Sequence, residues 1–181
     1  MRDKQNTQVV KQFVIMGVSG CGKSSVGRML AARLGGLFIE ADDFHPPANL
    51  AKMAASNPLT DEDRWPWLKI LNNTLKSHAQ NGRTVFLACS ALRQIHRERL
   101  AADLPQLRFI YLQGSKKLLL ERMQRRRDHF MPADLLDSQF ATLEEPTDAI
   151  VVSVADPLPT VVERILEQIT REDGIHEKRP P

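Results

Sequence analysis

Cysteine is close to absent from this chain of 181 residues: Cys21 and Cys89 stand far apart, without metal-ligand spacing. A disulfide scaffold and a cysteine-built zinc site are thereby excluded, and two reduced thiols in a reducing compartment are expected. Long apolar runs are missing too; none approaches the ~20 residues that a membrane helix requires. Residues 1–11 are polar and charged, without the apolar core of a secretory signal, so a cytoplasmic protein with no membrane partner is expected. Aromatic residues make up only 6% of the chain, and the net charge is only +3. With no aromatic-rich basic strand, nucleic acid is not an expected partner, although a pI near 9.0 suits small anionic ligands. No internal repeat is visible.

A hydrophobic content of 42% and a charged content of 26% fit one globular domain, expected over residues 12–170 between flexible termini at 1–11 and 171–181. Short apolar runs at 13–16, 37–39, 84–88, 107–112 and 150–154 read as strands. Helical spacing at 24–34, 68–79, 92–102, 115–127 and 158–170 alternates with them. Gly35-Gly36 stops the first helix, and Ser115 can cap the fourth. The segment 44–67 is punctuated by Pro46, Pro47, Pro58 and Pro66 and reads as a surface excursion with one short helix near 49–55. Alternating strands and helices predict an α/β fold in three layers, a five-stranded parallel sheet with helices on both faces. Ligands of such sheets bind at the C-terminal ends of the strands, where the polar clusters of this sequence fall.

The sharpest of those clusters is Gly17-Val-Ser-Gly-Cys-Gly-Lys-Ser24, which matches the phosphate-binding pattern G-x-x-x-x-G-K-[ST] without a mismatch. Three of the nine glycines fall between positions 17 and 22, because backbone N–H groups can turn inward around a phosphate only where side chains do not obstruct them. Gly17, Val18, Ser19, Gly20, Cys21, Gly22, Lys23, Ser24 and the following Ser25 are therefore candidate ATP-binding residues. Lys23 is expected at the β/γ-phosphates and the Ser24 hydroxyl on Mg2+. The expectation is an ATP- and Mg2+-dependent phosphotransferase.

Phosphorylating an alcohol calls for a group that accepts the hydroxyl proton. Glu40, Asp42 and Asp43 follow the second strand, and residues two apart on an extended chain share a side, which would point Glu40 and Asp42 into one site. Asp42 is the best candidate base. The third strand ends Ala88-Cys-Ser-Ala91 without an acid, so Mg2+ must lean on Ser24, water and Asp42. Arg122, Arg125, Arg126 and Arg127 cluster at a helix end. They read either as a solvated face that complements the helix dipole or as a lid closing over a triphosphate.

The loop, together with Glu40-Ala-Asp-Asp-Phe-His-Pro46, Asn49-Leu-Ala-Lys-Met53 and Pro58-Leu-Thr-Asp-Glu-Asp-Arg-Trp-Pro-Trp67, resembles the gluconokinases. So do Cys89-Ser-Ala-Leu-Arg93, His129-Phe130, Ser138-Gln-Phe140 and Leu143-Glu144, a resemblance running over about residues 12–169. It implies strand order 2-3-1-4-5, a mobile lid at about 125–145, and a homodimer. The implied reaction converts ATP and D-gluconate to 6-phosphogluconate. It also implies catalytic roles for Lys23, Asp42 and Arg126, nucleotide contact by Arg122, and substrate contact by Asp42, His45, Arg64, Ser90, Arg126, His129 and Gln139. Arginine binds a carboxylate through paired hydrogen bonds, which suits Arg64 to the gluconate anion; a salt bridge to Asp61 or Asp63 is the competing reading. His45 could meet a sugar hydroxyl or pin the turn at Pro46, and Trp65 and Trp67 read as core or wall.

Arg93 and His96 stand where the family often has Lys and Tyr, and Asp128 where a glycine commonly precedes His-Phe. Other readings are a kinase for another small sugar or polyol acid and, more remotely, a nucleotide-dependent regulatory or RNA-binding module. The strand order would bring both thiols near the phosphate site, where oxidation of Cys21 could inhibit.

Overall fold

The computed structural model describes residues 11–55, 57–124 and 133–172. Five strands, β1 (Gln12–Met16), β2 (Leu37–Glu40), β3 (Val85–Ala88), β4 (Leu107–Gln113) and β5 (Ile150–Ser153), form one parallel sheet in the order β2-β3-β1-β4-β5. The central β1 is buried along its whole length, and its alternating side chains feed two cores. Phe13 and Ile15 join Val26, Leu30, Ile110 and Ile165 on one face. Val14 and Met16 join Leu68, Leu71, Leu75 and Leu87 on the other. Phe13 stacks on Phe86 of the neighbouring strand at 5.0 Å between ring centres.

Helices α1 (Lys23–Leu34) and α7 (Leu158–Glu172) cover the first face. Helices α3 (Asp61–Gln80) and α4 (Gln94–Ala101) cover the second. Gly35, at φ 64°, ends α1 in the left-handed conformation that glycine adopts without strain, and its N–H donates to the Ala31 carbonyl. Helix α7 continues through Arg171 and Glu172, two residues past its expected end.

Two expectations fail in the excursion, both for local reasons. Helix α3 begins at Asp61 rather than Leu68, with Pro66 inside it. An interior proline removes one hydrogen bond and costs about 3 kcal/mol in an isolated helix. Here a reciprocal capping box offsets that cost: the Thr60 hydroxyl accepts from Asp63 N–H while the Asp63 carboxylate accepts from Thr60 N–H. Burial of Trp67, Leu68, Leu71 and Leu75 then holds the helix to the sheet. Second, Ala41–Phe44 is a turn of 3-10 helix, not extended chain, so alternation does not relate Glu40 to Asp42. A short helix, α2 (Pro47–Ala54), falls close to the one expected near 49–55. Helix α5 (Lys116–Gln124) starts beneath the Ser115 hydroxyl, which accepts from Leu118 N–H at 3.3 Å. Helix α6 (Ala133–Thr142) is a further element, lying inside the expected lid.

Candidate active site

The phosphate loop leaves β1 at Gly17 and enters α1 at Lys23. Gly17 has φ 139°, and a Cβ there would stand 2.9 Å from both Cys21 Sγ and the Leu112 carbonyl oxygen, so conformation and space both demand glycine. Its N–H donates to the Ser90 carbonyl at 3.3 Å, tying the loop to the end of β3. Val18 and Cys21 are buried and hold the loop down; Ser19, Gly20 and Ser24 are half-buried, and Ser25 is exposed. Gly22 caps α1 with no side-chain hydrogen bond, leaving the helix N-terminus open to an anion. The Lys23 ammonium folds back over the loop, donating to the carbonyls of Gly17 (3.0 Å) and Val18 (3.2 Å).

Beside the loop lies a cavity of about 320 Å3, walled by Gly20, Gly22, Ser25, Arg122, Val154 and Pro157. Arg122 donates to the Val154 carbonyl, which fixes its guanidinium as a wall of this cavity. Helix α5 presses on the loop closely enough that a Cβ on Gly20 would meet Met123 at 3.0 Å.

Asp42 and Asp43 sit on the 3-10 turn beyond β2, and the Asp42 side chain is 80% exposed. The turn is pinned from below, because Trp67 Nε1–H donates to the Ala41 carbonyl at 2.8 Å. His45 stacks on Trp67 at 4.2 Å, nearly parallel, with only 5% of its side chain exposed. Asn49 is buried and its Nδ2 reaches both His45 Nδ1 (3.3 Å) and the Asp63 carbonyl (2.9 Å). An amide donor at Nδ1 makes that nitrogen the acceptor and leaves the proton on Nε2, facing Asp42 at 3.9 Å. Burial holds the imidazole below its ordinary pKa, with Asp42 opposing and Arg64 adding to the effect. These contacts hold the His45 ring in place beside the 3-10 turn.

Acids and loop lysine converge at the end of β3. The Cys89 thiol is pushed up to about 12 by burial, and its neighbours in charge are Asp42 and Glu40 on one side and Lys23 on the other. Beyond Cys89 the chain turns sharply: Ala91 has φ 43°, rare for a side-chain-bearing residue. The buried Arg97 guanidinium donates to the carbonyls of Ala91 and Leu92, each at 3.1 Å, and so holds the turn that carries Ser90.

Arg64 is half-buried, and its Nη1–H donates to the Leu59 carbonyl at 2.6 Å. Neither competing acid takes it by a hydrogen bond. Asp63 accepts from Lys52 Nζ at 2.6 and 2.8 Å. Asp61 stands 3.9 Å from Arg64, while its two oxygens are held by Arg93 and by His96 Nε2 at 3.0 Å. Trp65 is a wall residue: Arg99 lies over its ring at 3.9 Å and His96 meets its edge.

From the lid side, Gln139 on α6 reaches the phosphate loop. Its Oε1 accepts from Ser19 N–H at 2.6 Å and its Nε2–H donates to the Ser19 hydroxyl at 3.0 Å. The chain after α6 is anchored twice. Glu144 accepts from Gln94 N–H at 2.5 Å, and Glu145 accepts from Tyr111 (3.2 Å) and Gln113 (3.3 Å). Arg125, Arg126, Arg127, Asp128 and His129 lie outside the described residues. The oxidation expectation for Cys21 loses its physical basis: the thiol is buried, and burial raises its pKa, which leaves little thiolate to react.

Asn49, Arg97, Gln94 and Glu145 carry no role in the sequence reading, and Asp61 enters it only as a competing partner for Arg64. The Thr60-x-x-Asp63 capping signature was the one local signal that could have moved the start of α3 and exposed Asp61 as its first residue.

The chain matches the family model described as AAA domain over residues 14–133. It is 45% identical over 164 residues to a gluconokinase of Gluconobacter oxydans, covering 89% of this chain and 92% of that one. It is 40% identical over 163 residues to the thermosensitive gluconokinase of Escherichia coli, covering 88% and 87%. A solved gluconokinase from Sinorhizobium meliloti shares 42% identity and superposes with a TM-score of 0.83, covering 94% of this chain and 99% of that one. Shikimate kinase from Aquifex aeolicus, at 17% identity and a TM-score of 0.58 over 91% and 99%, shares the fold. The loop, the sheet order and these relatives agree: the chain belongs to the gluconokinase family of P-loop kinases.

Proposed function

We propose that this protein transfers the γ-phosphoryl group of ATP to the terminal hydroxyl of D-gluconate, releasing ADP and 6-phospho-D-gluconate. The observation that carries the reading is the facing pair of half-sites. A phosphate loop with an open helix end follows β1 on one side of β3, and the 3-10 turn bearing Asp42 follows β2 on the other, with His45 3.9 Å from Asp42. The hydroxyl oxygen attacks phosphorus, the bond to the β,γ-bridging oxygen breaks, and the hydroxyl proton passes to Asp42. Lys23, released from Gly17 and Val18, is placed to follow charge onto the phosphates. Arg64 takes the carboxylate, since its Nε and Nη2 donors have no hydrogen-bond partner among the described residues.

Ser24 and Asp42 offer hard oxygen donors of the kind Mg2+ prefers. No group of three or more metal-binding side chains occurs among the described residues, so the ion would arrive with the phosphates and water. When bound, it would neutralise charge on the triphosphate. Arg126 and His129 complete the proposed site from the lid, with Ser90 beside the acceptor. Gln139 reaches it through Ser19. We take residues 12–170 as one catalytic domain that works as a cytoplasmic homodimer. No described helix is long and apolar enough to cross a membrane.

A coupled ADP-release assay across gluconate, other sugar acids and shikimate tests the reading. The highest kcat/KM is expected for gluconate. A higher value for another polyol acid would reassign the acceptor while leaving the kinase.

A further inference from the structure

The acceptor side holds an acid in an unexpected position. Asp61, the first residue of α3, lies one turn before Arg64 on the same face, the spacing at which an acid and an arginine ordinarily pair. Yet the two stand 3.9 Å apart without a hydrogen bond, because both oxygens of Asp61 are engaged elsewhere. Oδ2 accepts from Arg93, the N-cap residue of α4, and Oδ1 meets Nε2 of His96 at 3.0 Å. Arg93 is steadied in turn by Glu144, 3.7 Å from its Nε. His96 is buried against Trp65.

We propose that Arg93 and His96 are specificity-supporting positioning residues: by holding Asp61, they keep it from neutralising Arg64 and so leave that guanidinium free for the acceptor's carboxylate. The inference rests on the reading of Arg64 given above. Charge makes the point physical. Arg64 and Asp61 alone sum to zero, and an anionic substrate would have to displace an internal carboxylate already tethered one turn away. With Arg93 bonded to Asp61, that acid's charge is met by a second guanidinium and Arg64 keeps its remaining N–H donors. The side chains that carry out this diversion need not touch the substrate.

The test is a double-mutant cycle read as KM for gluconate and KM for ATP. R93A should raise KM for gluconate about tenfold, the scale of one charge-assisted hydrogen bond, with KM for ATP and kcat little changed. D61N should leave KM for gluconate unchanged or lower it. The decisive arm is R93A/D61N, which should return to near the parent value, because the acid that would capture Arg64 is gone. R93K keeps a cation on Asp61 and should stay within about twofold of the parent. R93Q, which keeps a polar stem without the charge, should follow R93A and serves if R93A does not fold.

A merely structural cluster predicts the opposite sign for D61N, a raised KM, and no restoration in the double variant; either result overturns the proposal. R64A separates the two levels. If R64A leaves KM for gluconate unchanged, the carboxylate-site reading falls and this inference with it. If R64A raises KM but R93A does not, only this inference falls.

Discussion

The nucleotide half and the acceptor half of the site are built by different means. The phosphate loop is one continuous segment whose working groups are backbone amides and a lysine, and its glycine positions follow from φ and close contact. The acceptor half is assembled from side chains on the 3-10 turn, α2, α3 and α4, and depends on who holds whom. Trp67 holds Ala41, Asn49 holds His45, Arg93 and His96 hold Asp61, and Arg97 holds the turn at Ala91. A backbone site tolerates little substitution within itself. A side-chain site can be retuned by positions that never meet the ligand.

That contrast can be broken in graded ways. The largest effect is expected at the junction of the halves: Asp42→Asn should lower kcat by about two orders of magnitude or more, the usual scale for loss of a general base, with both KM values little changed. Single-turnover measurements check it; near-normal turnover would remove Asp42 from that role. Next, Arg64→Ala should raise KM for gluconate by tenfold or more, at about 1.5–3 kcal/mol for a charge-assisted contact, and spare KM for ATP. Equal effects on both substrates would make the halves less separate than their construction suggests.

Arg97→Ala should cost about 2–3 kcal/mol of stability, since it leaves the Ala91 and Leu92 carbonyls without their buried donor. Chemical denaturation measures that cost. Cavity-side nucleotide binding should survive in the folded fraction.

The smallest effect is in pH. Burial holds His45 and His96 below the ordinary imidazole pKa, so each binds fewer protons folded than unfolded. Their contribution to stability is therefore present above the unfolded value of about 6.5 and is lost as pH falls from there through the lower folded pKa. Melting temperature should drop between pH 7 and pH 5, and a H96Q variant should flatten the profile. A profile of unchanged slope would remove His96 from it.

Much of the fold was legible because hydrophobic periodicity is a local signal. The five strands and the flanking helices follow from it, and strand order 2-3-1-4-5, implied by the resemblance, is the order observed. The failures were equally local. Pro66 concealed the first two turns of α3, and a 3-10 turn replaced the extended chain assumed after Glu40. For the site, the phosphate loop could be read from eight consecutive letters. The acceptor side could not, since Asp61 meets residues 32 and 35 positions away, and no spacing rule links them. Resemblance supplied Asp42 and Arg64 as candidates, but what leaves Arg64 open lies in that distant pairing.

The clip between Ser19 and Gln139 joins positions 120 residues apart. Contacts of such separation form late, because the closing of a long loop must precede any return from it. During synthesis the phosphate loop emerges early, yet its third residue acquires this partner only after α6 has left the ribosome. Nascent chains should therefore be able to pair β1 to β4 before this clip can close.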